Sequence, residues 1–168
     1  MPARYQNAMK WALYALLFLF TILLQDSILG RVQLLGAGFC LCPLVTAAVA
    51  AEEGAENGGL FALISATFWA LSGATDGGSF ILSMTVLAIV VGYLFRTLLN
   101  HRWWAVAVTN LASLFFCLLL PYLVRIYLQE LTLKSLLPML IQCLLALPFA
   151  CGIAWLCMQI GKVGQNRG

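Results

Sequence analysis

The chain has 168 residues, of which 63% are hydrophobic and 9% are charged, and its mean hydropathy is +0.98. Soluble domains are about half apolar and about a quarter charged, so this composition lies outside that class. The net charge is only +3, and the basic residues are scattered singly between apolar runs. This pattern argues against a nucleic-acid partner, which would need a basic stripe. The sequence therefore predicts an integral membrane protein whose apolar surface faces lipid.

The apolar runs are unbroken, whereas strands of a membrane barrel would alternate apolar and polar positions. We therefore expect an all-α bundle of about six transmembrane helices, with residues 1–168 forming a single membrane domain. The third predicted span is short for a full crossing. The six predicted spans are residues 8–24, 34–51, 58–73, 79–98, 103–127 and 135–161.

The distribution of basic residues predicts the orientation in the membrane. If both termini are cytoplasmic, the cytoplasmic segments carry six basic residues: Arg4, Lys10, Arg96, Arg102, Lys162 and Arg167. The outer loops then carry three: Arg31, Arg125 and Lys134. Because cytoplasmic loops are enriched in Lys and Arg, we expect cytoplasmic N- and C-termini. Glu52, Glu53 and Glu56 then fall in a cytoplasmic loop.

A stripe of small residues runs down the third predicted span at every fourth position. Its members are Gly58, Ala62, Ala66, Ala70 and Ala74. Positions four apart share one helix face, so another helix can approach this face closely. Packing within the chain is the favoured interpretation, and an interface with a partner protein is the alternative.

Polar groups at membrane depth are few. Asn110 and Gln142 are each expected to hydrogen-bond a neighbouring helix, and Arg125 can extend to the interface. Glu53, Glu56 and Asp76 are candidate contacts in the loops. Four prolines interrupt the apolar runs and are expected to bend or break their helices: Pro43, Pro121, Pro138 and Pro148.

No arrangement of residues suggests catalysis. The single histidine, His101, lacks an acidic neighbour, and no paired carboxylates or Ser-His pair occur. On a helix, Cys40 and Cys42 would point to opposite sides, which disfavours a shared metal. We therefore expect neither an enzyme nor a bound metal or cofactor.

Two segments carry a resemblance to a known family. Residues 48–63 read Ala-Val-Ala-Ala-Glu-Glu-Gly-Ala-Glu-Asn-Gly-Gly-Leu-Phe-Ala-Leu, and residues 68–73 read Phe-Trp-Ala-Leu-Ser-Gly. This text resembles the bacterial rod-shape-determining MreD family, particularly its Firmicutes members, which typically show an acidic-Gly loop followed by a Gly-Gly-led third span. Ala70 stands where the family often carries aspartate, and Asp76 is the nearest acid.

The resemblance implies a non-enzymatic scaffold subunit of the cell-elongation machinery in the bacterial plasma membrane. The family works beside the bitopic MreC protein, with links to the actin-like MreB filament and to the peptidoglycan polymerase and transpeptidase pair. The family bundle is also similar to the substrate-binding subunits of energy-coupling-factor vitamin transporters, which gives the alternative function. A channel or ion-coupled transporter ranks last, because the spans hold no evident chain of ionisable residues.

Overall fold

The structure is a computed structural model that describes residues 3–27, 40–71, 78–97, 103–127 and 136–165. Within these ranges the backbone forms six helices and no strand. The helices are α1 (Ala3–Ser27), α2 (Cys42–Glu53), α3 (Ala55–Leu71), α4 (Gly78–Thr97), α5 (Trp103–Tyr127) and α6 (Leu136–Gln165). The prediction of an all-α fold is confirmed for the described part of the chain.

Among the described residues, three segments are long and apolar enough to cross a membrane: Asn7–Ser27, Gly78–Thr97 and Leu140–Lys162. Large apolar side chains also remain on the outside of the bundle. Water would solvate these side chains poorly, whereas lipid tails solvate them well. Five that are more than half exposed are Leu16, Phe20, Ile64, Leu82 and Leu144. These features support a membrane-embedded helical bundle, and the number of helices that cross the bilayer stays a prediction.

The bundle is organised around α2, which packs against each of the other five helices. Every residue of this helix from Cys42 to Ala51 is buried. Around it, α3 packs on α4, α4 on α5, α5 on α6, and α6 on α1. Phe61 of α3 closes the ring through ring contacts with Trp11, Tyr14 and Phe18 of α1. The core is therefore a helix enclosed by a ring of five.

The start of α2 differs from the predicted second span, residues 34–51. Cys40 and Leu41 are buried but not helical, and the helix begins at Cys42. Because Cys40 precedes the helix, the helical geometry assumed for the two cysteines does not apply. Pro43 lies in the first turn, where its missing N–H breaks no helical hydrogen bond. Pro43 therefore marks the start of the helix and does not bend it, so of the predicted bend or break only the break applies.

A single residue, Gly54, connects α2 to α3, and its φ of 88° favours glycine. Gly92 of α4 lies directly against this turn, because a Cβ added there would be 2.5 Å from the Ala55 nitrogen. Glu52 and Glu53 belong to the last turn of α2, and Glu56 belongs to the first turn of α3. The predicted acidic loop is instead a tight turn between two helix ends.

The small-residue stripe of α3 faces the inside of the bundle. Gly58, Ala62 and Ala66 are buried, and Ala70 is half-buried. A Cβ added to Gly58 would overlap the Cα of Ala50, so α2 and α3 pack backbone to backbone at this point. Ala74 lies outside the described residues. The described part of the stripe therefore serves packing within the chain.

Candidate functional site

A cluster of polar side chains lies where α1 and α3 begin and α2 and α6 end. We define the polar cluster as Lys10, Tyr14, Glu52 and Glu53. Lys10 Nζ lies 2.7 Å from Glu53 Oε2 in a salt bridge. The Tyr14 hydroxyl donates a hydrogen bond of 2.9 Å to Glu53 Oε1. Both carboxylate oxygens of Glu53 are therefore engaged by α1.

The ion pair of the polar cluster is largely removed from solvent. The side chains of Lys10 and Glu53 are only 15% and 10% exposed. Desolvating a charge is unfavourable, and a close opposite charge with further hydrogen bonds offsets that loss. Removing one partner would leave the other charge buried and uncompensated. The pair therefore fixes the end of α2 against α1.

Gly161 of α6 leaves room for the Glu52 carboxylate. A Cβ added to Gly161 would lie 3.1 Å from Glu52 Oε2 and 3.6 Å from the Tyr14 hydroxyl. The end of α6 thus passes directly over the polar cluster. Glu53 is part-buried and paired with Lys10, whereas Glu56 is exposed. Their roles as loop contacts to a partner stay predictions.

A second polar contact between α1 and α2 lies at the opposite end of α2. The backbone N–H of Leu41 donates a 2.8 Å hydrogen bond to Gln25 Oε1, and the Cys42 thiol lies 3.7 Å from the same oxygen. Gln25 therefore satisfies a backbone donor at the start of α2 that the helix itself leaves open. With the polar cluster, this contact holds both ends of the enclosed helix.

The lengths of the two helices fit this arrangement. From Lys10 to Gln25, α1 rises about 22 Å, and from Leu41 to Glu53 the α2 segment rises about 18 Å. The contacts pair the beginning of α1 with the end of α2, so the two helices are antiparallel. Lys10, Tyr14 and Gln25 share one face of α1, which sets the register between the helices.

Asn110 of α5 is fully buried, and neither its side-chain nitrogen nor its oxygen has a hydrogen-bond partner among the described residues. No described residue therefore forms the interhelical hydrogen bond predicted for Asn110. A buried polar group without a hydrogen-bond partner costs about 1–3 kcal/mol of stability. Gln142 of α6 is half-buried.

One small cavity lies between α2, α4 and α5, and its volume is about 10 Å³. Thr46, Ser113 and Cys117 are among the residues that line it. Pockets for organic ligands are typically about 300–1,000 Å³, so this cavity is far too small for one. No cluster of three or more metal-ligating side chains occurs in the described ranges.

Several predicted site residues cannot be placed. Asp76, Ala74 and His101 lie outside the described residues, and so does the side chain of Arg125. Conversely, the prediction missed the pairing of Lys10 and Tyr14 with Glu53, and the contact of Gln25 with Leu41. The sequence does contain a signal for these contacts, since Lys10, Tyr14 and Gln25 fall on one helical face of an otherwise apolar segment.

Comparisons with known proteins were made with family models, curated proteins and solved structures. None of the three finds a match to the chain. What the protein does must therefore be inferred from its own residues and their geometry.

Proposed function

We propose that the chain is a non-enzymatic membrane scaffold subunit of the bacterial cell-elongation machinery. In this proposal it resides in the plasma membrane with both termini in the cytoplasm. Its direct partner is a bitopic protein of the MreC type. Through that partner it is linked to an MreB-type filament and to the peptidoglycan polymerase and transpeptidase pair.

The observation that carries the proposal is the place of the family-like segment, residues 48–63, in the fold. This segment contains the end of α2, the Gly54 turn and the beginning of α3. Glu53 holds the enclosed helix to α1, Gly54 makes the turn, and Gly58 permits the close contact with Ala50. Residues that carry the resemblance are thus the residues on which the packing of α2 depends.

The distribution of polar groups also favours a scaffold. The polar cluster and Gln25 form contacts within the chain, so their role is structural. The outer faces are apolar along α1, α3 and α6. Other membrane helices can pack against these apolar outer faces, so a transmembrane partner can bind there.

The alternative is a substrate-binding subunit of an energy-coupling-factor vitamin transporter. Its ligand would require a pocket of several hundred Å³ with converging polar groups. The cavity between α2, α4 and α5, at about 10 Å³, is too small for a vitamin. The spans also hold few polar side chains beyond Asn110 and Gln142 that could converge on such a ligand, which ranks the transporter below the scaffold.

Co-purification tests the proposal. The tagged full-length chain is purified from its native membrane in mild detergent, and the bound proteins are identified by mass spectrometry. We expect an MreC-type protein and the wall-synthesis pair in amounts well above those recovered with an identically tagged, unrelated polytopic protein. Recovery of a pair of ATPases with a coupling subunit, or of a bound vitamin, would reject the scaffold in favour of the transporter.

A further inference from the structure

The exposed face of α3 has the spacing of a helix-pairing surface. Its exposed positions Leu60, Ile64, Thr67 and Leu71, which we call the α3 seam, are four, three and four residues apart. Alternation between three and four keeps one seam against a neighbouring helix at a crossing angle of about 20°, the common geometry in membrane bundles. The Thr67 hydroxyl donates a 2.7 Å hydrogen bond to the Leu63 carbonyl, so it does not interrupt the apolar seam.

One end of the α3 seam carries a negative charge. Glu56 is exposed in the first turn of α3, on the side of the helix that bears the seam. At the same end of the bundle, the last turns of α4 and α6 carry exposed bases, Arg96 and Lys162. Arg102 directly precedes α5 in the sequence, and Lys10 of α1 is paired within the polar cluster. A basic partner would therefore be attracted to the end of α3 and repelled at the ends of α4 and α6.

The charge at the end of the α3 seam indicates what kind of helix binds there. The proposed function, on which this inference rests, places that end of the bundle in the cytoplasm. A membrane helix usually carries Lys or Arg where it enters the cytoplasm. We propose that the α3 seam binds the transmembrane helix of the bitopic partner, with a Lys or Arg at the cytoplasmic end of that helix paired with Glu56.

Other occupants fit the α3 seam less well. Two copies of this chain have the same orientation in the membrane, so pairing their seams about a two-fold axis would bring one Glu56 close to the other. Like charges at close range repel each other, which disfavours such a dimer. Lipid tails cover any apolar face and carry no charge, so they do not account for an acid at the end of the seam.

Site-specific photo-crosslinking tests the location of the interface. Benzoylphenylalanine replaces Ile64 in the tagged full-length chain, which is co-expressed with the MreC-type protein of the same organism. We expect a crosslink to that protein when native membranes are irradiated. Matched positions are Phe116 of α5 and Leu144 of α6, which are similarly exposed and should give no crosslink above background. A crosslink to the partner from Phe116 or Leu144 instead, a crosslink from Ile64 to a second copy of the chain, or no crosslink at all would overturn the proposal.

Charge exchange tests the role of Glu56. Glu56→Lys should lower the amount of co-purified partner by about fivefold, because an attraction becomes a repulsion. Replacing the basic residue at the cytoplasmic end of the partner helix by Glu should restore binding to this variant. Gln159→Lys is the matched control, because it adds the same side chain at an exposed position of α6 and should leave recovery unchanged. Equal recovery with Glu56→Lys and Gln159→Lys would overturn the pairing.

Failure of the interface can be told apart from failure of the scaffold function. If the unmodified chain recovers no MreC-type protein, the scaffold function is rejected and the α3 interface with it. If the unmodified chain recovers that protein but Ile64 does not crosslink to it, the scaffold function stands and the α3 interface alone is rejected.

Discussion

Two consecutive helices, α2 and α3, illustrate how this bundle is organised. Only Gly54 separates them, yet α2 is buried on all sides from Cys42 to Ala51 whereas α3 is buried on one face. The outer face of α3 carries Leu60, Ile64 and Phe68, each more than half exposed. Both helices are apolar, so hydrophobicity does not explain the difference.

Side-chain size does distinguish the two helices. The buried helix is composed largely of Ala, Val, Thr and Cys, which let five neighbours approach. The exposed face of α3 carries bulky residues. Because lipid tails are as apolar as Leu, large apolar side chains gain little by moving inward, and small residues mark the helix contacts.

The largest expected effect concerns how α1 holds α2. Lys10→Met leaves the Glu53 carboxylate without its cation, so the free energy of unfolding should fall by about 3 kcal/mol. Unfolding by sodium dodecyl sulfate in mixed micelles measures this change. The double variant Lys10→Met with Glu53→Leu should recover most of the loss, because it removes both charges. Equal losses in the single and double variants would contradict the importance of the pair.

The second prediction compares the two faces of α3. Ala66→Leu places extra volume at a fully buried position and should lower the free energy of unfolding by about 2 kcal/mol. Ile64→Leu, two residues away, is the matched control on the face that is 62% exposed, and it should change stability by less than about 0.5 kcal/mol. The same micelle titration measures both. Similar values for the two variants would mean that Ala66 faces lipid.

A smaller loss is expected at the other end of α2. Gln25→Leu removes the acceptor of the Leu41 N–H and should cost about 1 kcal/mol. Hydrogen exchange should increase at the Leu41 amide while amides in the middle of α4 remain protected. Asp26→Leu, at the adjacent exposed position of α1, is the matched control, because it adds the same side chain and leaves the Gln25 carboxamide in place. An unchanged exchange rate at Leu41 in the Leu variant would exclude this hydrogen bond.

The smallest effect should be a gain in stability. Gly152 of α6 is exposed, and a Cβ added there meets no atom within 4 Å. Gly152→Ala should therefore raise the free energy of unfolding by about 0.5 kcal/mol, the usual benefit within a helix. Gly58→Ala should do the opposite, because its Cβ would overlap Ala50. Thermal unfolding followed by tryptophan fluorescence compares the two, and a loss at Gly152 would reveal an unrecognised contact.

Much of the helical pattern was readable from the sequence, and the exceptions have physical causes. The predicted spans 79–98 and 103–127 agree closely with α4 and α5, which lie between polar segments. The start of α2 was missed because hydropathy does not separate a helix from buried non-helical residues such as Cys40 and Leu41. The Pro43 position was a usable signal, since proline favours the first helical turn.

The polar contacts were harder to predict because they depend on tertiary structure. Lys10 and Glu53 are 43 residues apart in the chain, and their pairing requires α1 and α2 to pack antiparallel. The face shared by Lys10, Tyr14 and Gln25 identifies which side of α1 faces inward, but not the residues that it meets. Asn110 was identified as a polar residue at membrane depth, and only the structure shows that its carboxamide has no hydrogen-bond partner among the described residues.

The enclosure of α2 has a consequence for synthesis of the protein. This helix is translated before α5 and α6, two of the helices that bury it. Until α6 has left the ribosome, the nascent chain cannot complete the packing around α2. Contacts between residues so far apart in sequence form late, which exposes the intermediate to competing interactions. A premature stop before α6 should therefore yield a chain that membrane quality control degrades.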